Sequence, residues 1–169
     1  MKKMIMVCCV MMIASNLLAL TQTIDGITWT YTVTNGYASI GGGTSSSTAI
    51  AKTKSGAINI PSVLNGYVVT YIGAYAFSGC NKLTSVVIPD CVTDIGNRAF
   101  SNCNGLLDMV MPDSIMSIGT YAFSGCNALT NIVMLSNVMS IEDGAFYGCS
   151  SLDNITIPLA SHRCETAQV

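Results

Sequence analysis

Phe77, Phe100, Phe123 and Phe146 stand 23 residues apart, and so do Cys80, Cys103, Cys126 and Cys149, and Leu83, Leu106, Leu129 and Leu152. Around these markers the chain reads Ile-Gly-x-x-Ala-Phe-x-x-Cys-x-x-Leu-x-x-apolar-x-apolar-Pro four times, with few departures. Self-similarity at a fixed period of roughly 20 to 50 residues marks a solenoid, in which each repeat is one supersecondary unit covered by its neighbours. A unit this short has too few apolar side chains to offset the entropy lost on ordering it, so stability must belong to the stack.

Within a unit, Leu83-x-x-Val86-x-Ile88 alternates as a strand does, with Val86 and Ile88 facing inward and Ser85 and Val87 outward. Pro89 ends that strand, and Val92-x-x-Ile95 turns the chain back in a second, shorter extended segment. Ala99 to Cys103 is expected to make one helical or 3₁₀ turn. Gly96 and Gly119 are read as easing the bend between segments. Because Glu142 stands where the fourth such glycine would be, the glycine is read as helpful but not strictly required. The expected fold class is an α/β solenoid, leucine-rich-repeat-like, of mostly short parallel strands with one short helical or 3₁₀ turn per 23-residue repeat.

A small β-hairpin cap is expected ahead of the array. Ile27, Trp29, Tyr31 and Val33 alternate with three threonines, as in a half-buried strand, and the lone Trp29 reads as a packing residue. Asn35-Gly36 suits a tight turn, and Tyr37 to Ile40 can return as the partner strand. Gly41 to Thr48 reads as a loop. Ile58-x-Ile60-Pro61 and Val69-x-x-Ile72 resemble the two halves of a repeat, separated by a longer excursion carrying Asn65-Gly66. The division is then 1–23 signal peptide, 24–71 N-terminal β cap with an irregular first coil, 72–158 repeat array and 159–169 irregular tail.

Only 9% of the residues are charged, against a typical value near 25%, so Ser, Thr, Asn and Gly must supply the surface. Lys2 and Lys3 precede the apolar run Met4 to Leu20, which reads as an export signal cut near Ala19 to Thr23; an uncleaved anchor is the weaker reading. Cys8 and Cys9 lie too early in that run for lipidation. Without the two lysines, five basic residues face nine acidic ones, a formal charge of about −4. No basic patch remains for nucleic acid or anionic lipid, and no membrane contact is expected beyond the signal segment.

The unit IGxxAFxxCxxLxxVxIPxxVxxIG resembles the BspA-type leucine-rich repeats of bacterial surface proteins, and the resemblance covers roughly Ile58 to Pro158. The leader-like segment TWTYTVTNGYASIGGG also resembles what precedes such arrays in some secreted bacterial proteins. Kinship of this kind implies an exported or surface-attached protein, and several members of the family act in adhesion to host proteins or other cells.

The cysteine ladder invites thoughts of disulfides or metal, but side chains stacked about 5 Å apart point in parallel, and their place beside Phe and Leu makes them small buried hydrophobes. No compact Cys-x-x-Cys pair is present for zinc, and no metal or cofactor is expected. Cys91, aligned with Ser114 and Asn137, and Cys164 in the tail are the two thiols placed to react or pair. His162, the only histidine, falls in the tail, and Asp90 and Asp113 follow prolines where a turn role suffices. With no Ser/His/Asp order and no phosphate loop, an enzyme is not expected. The outward strand face is the surface left for binding: Ser85, Asp108, Asn131 and Asn154 beside Val87, Val110, Val133 and Thr156. Its candidate ligand residues are Asp108, Val110, Asn131, Val133, Asn154 and Thr156, and its expected partner is a protein or a glycan on a host or neighbouring cell. The competing reading is that valine is there for β-propensity alone. After Pro158 the pattern fails, leaving the last coil uncapped, so end-to-end self-association, a covering subunit and truncation of a longer array all stand.

Overall fold

The structure is a computed structural model that describes residues 18–41, 47–133 and 137–156. At Asn131, Val133, Asn154, Ile155 and Thr156 it describes the backbone only. Most of the apolar signal segment, most of the glycine-serine loop, and the tail with Pro158, His162 and Cys164 lie outside the described residues.

The chain opens with antiparallel strands β1 (Leu20–Ile24), β2 (Ile27–Thr34) and β3 (Tyr37–Ile40). Two-residue turns join them at Asp25-Gly26 (φ 50° and 73°) and Asn35-Gly36 (φ 52° and 83°). Positive φ at both central residues gives the turn whose twist matches that of the flanking strands, and Asx-Gly supplies it at least cost. The Asp25-Gly26 turn was there to be read in the sequence, yet only the second hairpin was expected. As a result, β1 begins inside the stretch assigned to the signal peptide. A cut after Ala19 leaves this strand whole; a cut after Thr23 removes four of its five residues.

Strand β4 (Gly56–Asn59) and the hairpin of β5 (Val63–Leu64) and β6 (Tyr67–Ile72) form the irregular first coil, and the longer excursion is the expected Asn65-Gly66 turn, φ 47° and 88°. Each later coil contributes one strand to each of two parallel stacks, save the last, of which only the longer strand lies among the described residues. The longer strands are β7 (Leu83–Val87), β9 (Asp108–Val110), β11 (Asn131–Val133) and β13 (Asn154–Thr156); the two-residue strands are β8 (Asp94–Ile95), β10 (Ser117–Ile118) and β12 (Ser140–Ile141). One sheet runs β13-β11-β9-β7-β4; the other runs β1-β2-β3-β6-β8-β10-β12, with β5 beside β6. Because β3 pairs in parallel with β6, the cap and the array share one sheet.

Between the sheets lies the internal file. Phe77, Phe100, Phe123 and Phe146 stack with centroids 4.9, 5.3 and 5.3 Å apart and ring planes within 5° of parallel. Trp29 meets Phe77 edge-on at 6.3 Å and is buried, so it closes the near end of the file as a packing residue. Leu83, Leu106 and Leu129 and the inward Ile95 and Ile118 are likewise buried.

Of the expected helical or 3₁₀ turn, only isolated hydrogen bonds reaching three residues back are formed, with no run of helix. Among the described residues there is no helix, and the class is all-β with hydrogen-bonded turns in its place. Over Tyr75 to Cys80, alternate N–H groups take different partners. Ala76, Ser78 and Cys80 donate three residues back, to the carbonyls of Gly73, Tyr75 and Phe77, whereas Tyr75, Phe77 and Gly79 donate to Asn97, Ala99 and Ser101 in the next coil. A helix needs every N–H for itself; here half are committed to the neighbour. The geometry requires left-handed residues twice per coil, at Tyr75, Arg98, Tyr121 and Gly144, and at Gly79, Asn102, Gly125 and Gly148. The second column is glycine or asparagine throughout, a signal for αL that the sequence carried openly.

Candidate functional site

On the outer face of the longer strands the expected columns are in register. Ser85 opposes Asp108 and Val87 opposes Val110 across β7 and β9, and the backbone register continues from Asp108 to Asn131 to Asn154, and from Val133 to Thr156. Alternation turns Val86 and Met109 inward and leaves Asp108 exposed, with Val87 39% and Val110 56% accessible. Of the six candidate ligand residues, Asp108 and Val110 are thus placed at the surface; the other four are placed by backbone register alone. The face also starts one strand earlier than expected, because β4 aligns exposed Ala57 with Ser85 and exposed Asn59 with Val87. Ile58-x-Ile60-Pro61 was its signal.

Two grooves open on the other sheet. One, of about 380 Å³, is lined by Tyr37, Ser39, Thr70 and Tyr71 over Gly73; the second, of about 390 Å³, by Tyr71, Asn97, Ser117, Thr120, Ser140 and Glu142 over Gly96 and Gly119. Asp94 is oriented beside them, accepting from the Thr93 hydroxyl at 2.6 Å and from the Ser117 hydroxyl at 2.5 Å. The Asn97 side-chain oxygen accepts from the Thr120 N–H at 3.0 Å. Tyr71 is 37% exposed, and burial together with the nearby Asp94 carboxylate pushes its hydroxyl pKa above the usual tyrosine value. No binding role was expected of these residues, although polar side chains recur 23 apart at Asp94, Ser117 and Ser140, and at Asn97, Thr120 and Asp143.

The cysteine ladder is buried and its thiols are free, as its packing role requires. It does more than fill space. Cys103, Cys126 and Cys149 each donate, at 3.1 Å, to the carbonyl of the phenylalanine one coil earlier, Phe77, Phe100 and Phe123. Each S–H therefore ties two coils together, which Ala or Val at the position would not do. Burial pushes the Cys80 thiol up to about 11, and the adjoining thiol with burial pushes Cys126 and Cys149 upward too. Cys91 is only partly buried, and its thiol donates to the Ser62 carbonyl at 3.6 Å. Its repeat equivalents tie coils as well, Ser114 to the Val92 carbonyl and Asn137 to that of Asp113.

Native alkylation at pH 8 is expected to modify Cys91 well ahead of the four ladder cysteines, by mass spectrometry of the digested protein; equal labelling would contradict the ladder's burial. The same groups set a pH dependence. The native state holds the Cys80 proton up to about pH 11, whereas the unfolded thiol releases it from about 9. Between these values the unfolded chain binds fewer protons, so stability is whole below pH 9 and falls as pH rises toward 11. A urea midpoint constant from pH 8 to 11 would refute this.

The profile of the BspA type leucine rich repeat region matches residues 46–166 in six copies. The chain belongs to this family. Its fold is shared with a leucine-rich repeat protein from Bacteroides ovatus, 36% identical with a TM-score of 0.66, over 82% of this chain and 36% of the other. A leucine rich cell surface protein from Faecalibacterium prausnitzii is 32% identical with a TM-score of 0.68, over 83% and 34%. The Treponema pallidum leucine rich repeat protein is 28% identical with a TM-score of 0.71, over 78% and 59%. The chain thus spans about a third of the length of the first two. No curated protein matches it. The BspA-type match runs beyond the expected Ile58 to Pro158 at both ends, taking in the irregular first coil that carries β4.

Proposed function

We propose that this protein is exported and acts without catalysis, binding another protein or a glycan through the outer face of β4, β7, β9, β11 and β13, in cell-surface adhesion or recognition. The observation that carries this reading is the exposure of Val87 and Val110 on adjacent strands, in line with each other and flanked by Ser85 and Asp108. An apolar stripe bordered by hydrogen-bonding groups is the composition of an interface core with its rim. Membership of the BspA-type family, and the cell-surface description of the Faecalibacterium protein, support export and recognition. The ligand residues are Asp108, Val110, Asn131, Val133, Asn154 and Thr156.

Capture of host matrix proteins and glycans on the immobilised chain tests this reading. Joint replacement of Asp108, Asn131 and Asn154 by Ala is expected to weaken capture at least tenfold, since three hydrogen-bonding groups bordering the apolar stripe are lost together, each contributing about 0.5–1.5 kcal/mol. If the array is structural and has no dedicated ligand, nothing is captured by either form. Capture that is the same for both would remove the strand face from consideration.

A further inference from the structure

The two grooves on the other sheet share Tyr71, and their glycine floor follows the stacking axis from Gly73 through Gly96 to Gly119. We infer that they form one continuous site for an extended, uncharged polysaccharide, centred on the Tyr71 ring and independent of the strand face. Three observations converge on that occupant. The walls are hydroxyl, carboxamide and carboxylate groups, two of them held in place by coil contacts: the Ser117 hydroxyl by Asp94 behind it, and the Asn97 side chain by the Thr120 N–H. Groups oriented in advance for hydrogen bonding suit a ligand that is itself a dense array of hydroxyls, and the partly exposed rings of Tyr37 and Tyr71 offer apolar faces against which sugar rings stack. Neither groove is lined, among the described residues, by a lysine or arginine, whereas Glu142 lies in the second, which disfavours an anionic glycan.

The third observation is spacing. Equivalent side chains recur once per coil, about 4.8 Å apart along the stack. An extended peptide presents like-facing side chains every two residues, about 6.7 Å, and falls out of step with such a ladder. One pyranose ring of an extended glycan advances its chain by a step close to the coil spacing, and because alternate rings of a β-1,4-linked chain face the same way, like-facing sugars fall in step with every second coil.

Titration calorimetry of the full chain against cellohexaose, chitohexaose, maltohexaose and mannohexaose, with hyaluronan and heparin hexasaccharides alongside, tests the inference. At least one neutral hexasaccharide is expected to bind, and its disaccharide at least tenfold more weakly. Tyr71→Ala is expected to weaken binding at least tenfold. So is Ser140→Trp, which fills the groove from a partly exposed position and removes no core contact. Three outcomes overturn the site: no neutral hexasaccharide binds, only the charged ones bind, or affinity survives both substitutions. Loss of sugar binding in the Asp108, Asn131 and Asn154 variant but not in Tyr71→Ala would assign the sugar to the strand face and likewise overturn it.

Discussion

Phe100→Ala is expected to lower the free energy of unfolding by about 3–5 kcal/mol, the range for truncating a fully buried aromatic ring. In a chain of this length that corresponds to a melting temperature lower by roughly 10 °C or more. The ring has no solvent exposure and lies between Phe77 at 4.9 Å and Phe123 at 5.3 Å, so truncation strips contacts from both neighbours at once. Collapse of the cavity is opposed by the backbone, because the Phe77 N–H is bonded to the Ala99 carbonyl and the Phe100 N–H to that of Ala122, both at 2.7 Å. Three coils would have to shift together to fill the void. Stability in a one-dimensional stack is a sum of unit and nearest-neighbour terms, so the cost depends on place in the file. Phe146 stacks on Phe123 at the far end of the described file, and Phe146→Ala is expected to cost distinctly less. Urea denaturation of both variants measures the difference. Equal losses would mean that the phenylalanines do not couple adjacent coils.

What the sequence reveals of this fold follows from which of its physical demands leave a periodic trace. The file of phenylalanines and the inward isoleucines are apolar demands repeated every 23 residues, and they emerge in the structure as the pattern foretold, while Pro61, Pro89 and Pro112 follow the ends of β4, β7 and β9. The Ala-Phe turn was misjudged because local propensity allows a helical turn there, while the carbonyls that draw the N–H groups of Tyr75, Phe77 and Gly79 away lie in the next coil. Such competition is tertiary and has no mark within one repeat. Even so, the Gly79, Asn102, Gly125 and Gly148 column pointed to left-handed backbone incompatible with a helix. The strand-face columns were legible from alternation alone. The grooves were not, because they lie over glycines where successive coils close up: a glycine reads as freedom in a sequence, and only the stacked coils show it as a point of close approach.

That distinction makes Gly96→Ala the second large effect. Its φ is not in the left-handed region, so the bend it was expected to ease does not require glycine. A β-carbon there would lie 2.6 Å from the Tyr71 hydroxyl, 2.8 Å from the Ala74 nitrogen and 2.9 Å from the Ile72 carbonyl oxygen. The hydroxyl can swing away. The two backbone atoms cannot, since the Gly96 N–H is itself bonded to the Ile72 carbonyl at 2.8 Å, and a methyl group must prise the coils apart at the bond that joins them. Overpacking of this kind costs typically 1–3 kcal/mol and occasionally more; with rigid backbone on two sides about 3 kcal/mol is expected. Gly36→Ala is the control of opposite character: nothing lies within 4 Å, but φ is +83°, so its cost is backbone strain alone, about 1 kcal/mol. Glu142, at the same repeat position and with the same kind of bond from its N–H to the preceding coil at the Ile118 carbonyl, shows that coils arranged around a β-carbon can seat one; Gly96→Ala imposes it on coils arranged without one. Denaturation of the two alanine variants should rank Gly96 at least twofold above Gly36. The reverse order would mean that the coils have slack to give, and a groove floored by Gly96 and Gly119 would lose the depth on which its proposed ligand depends.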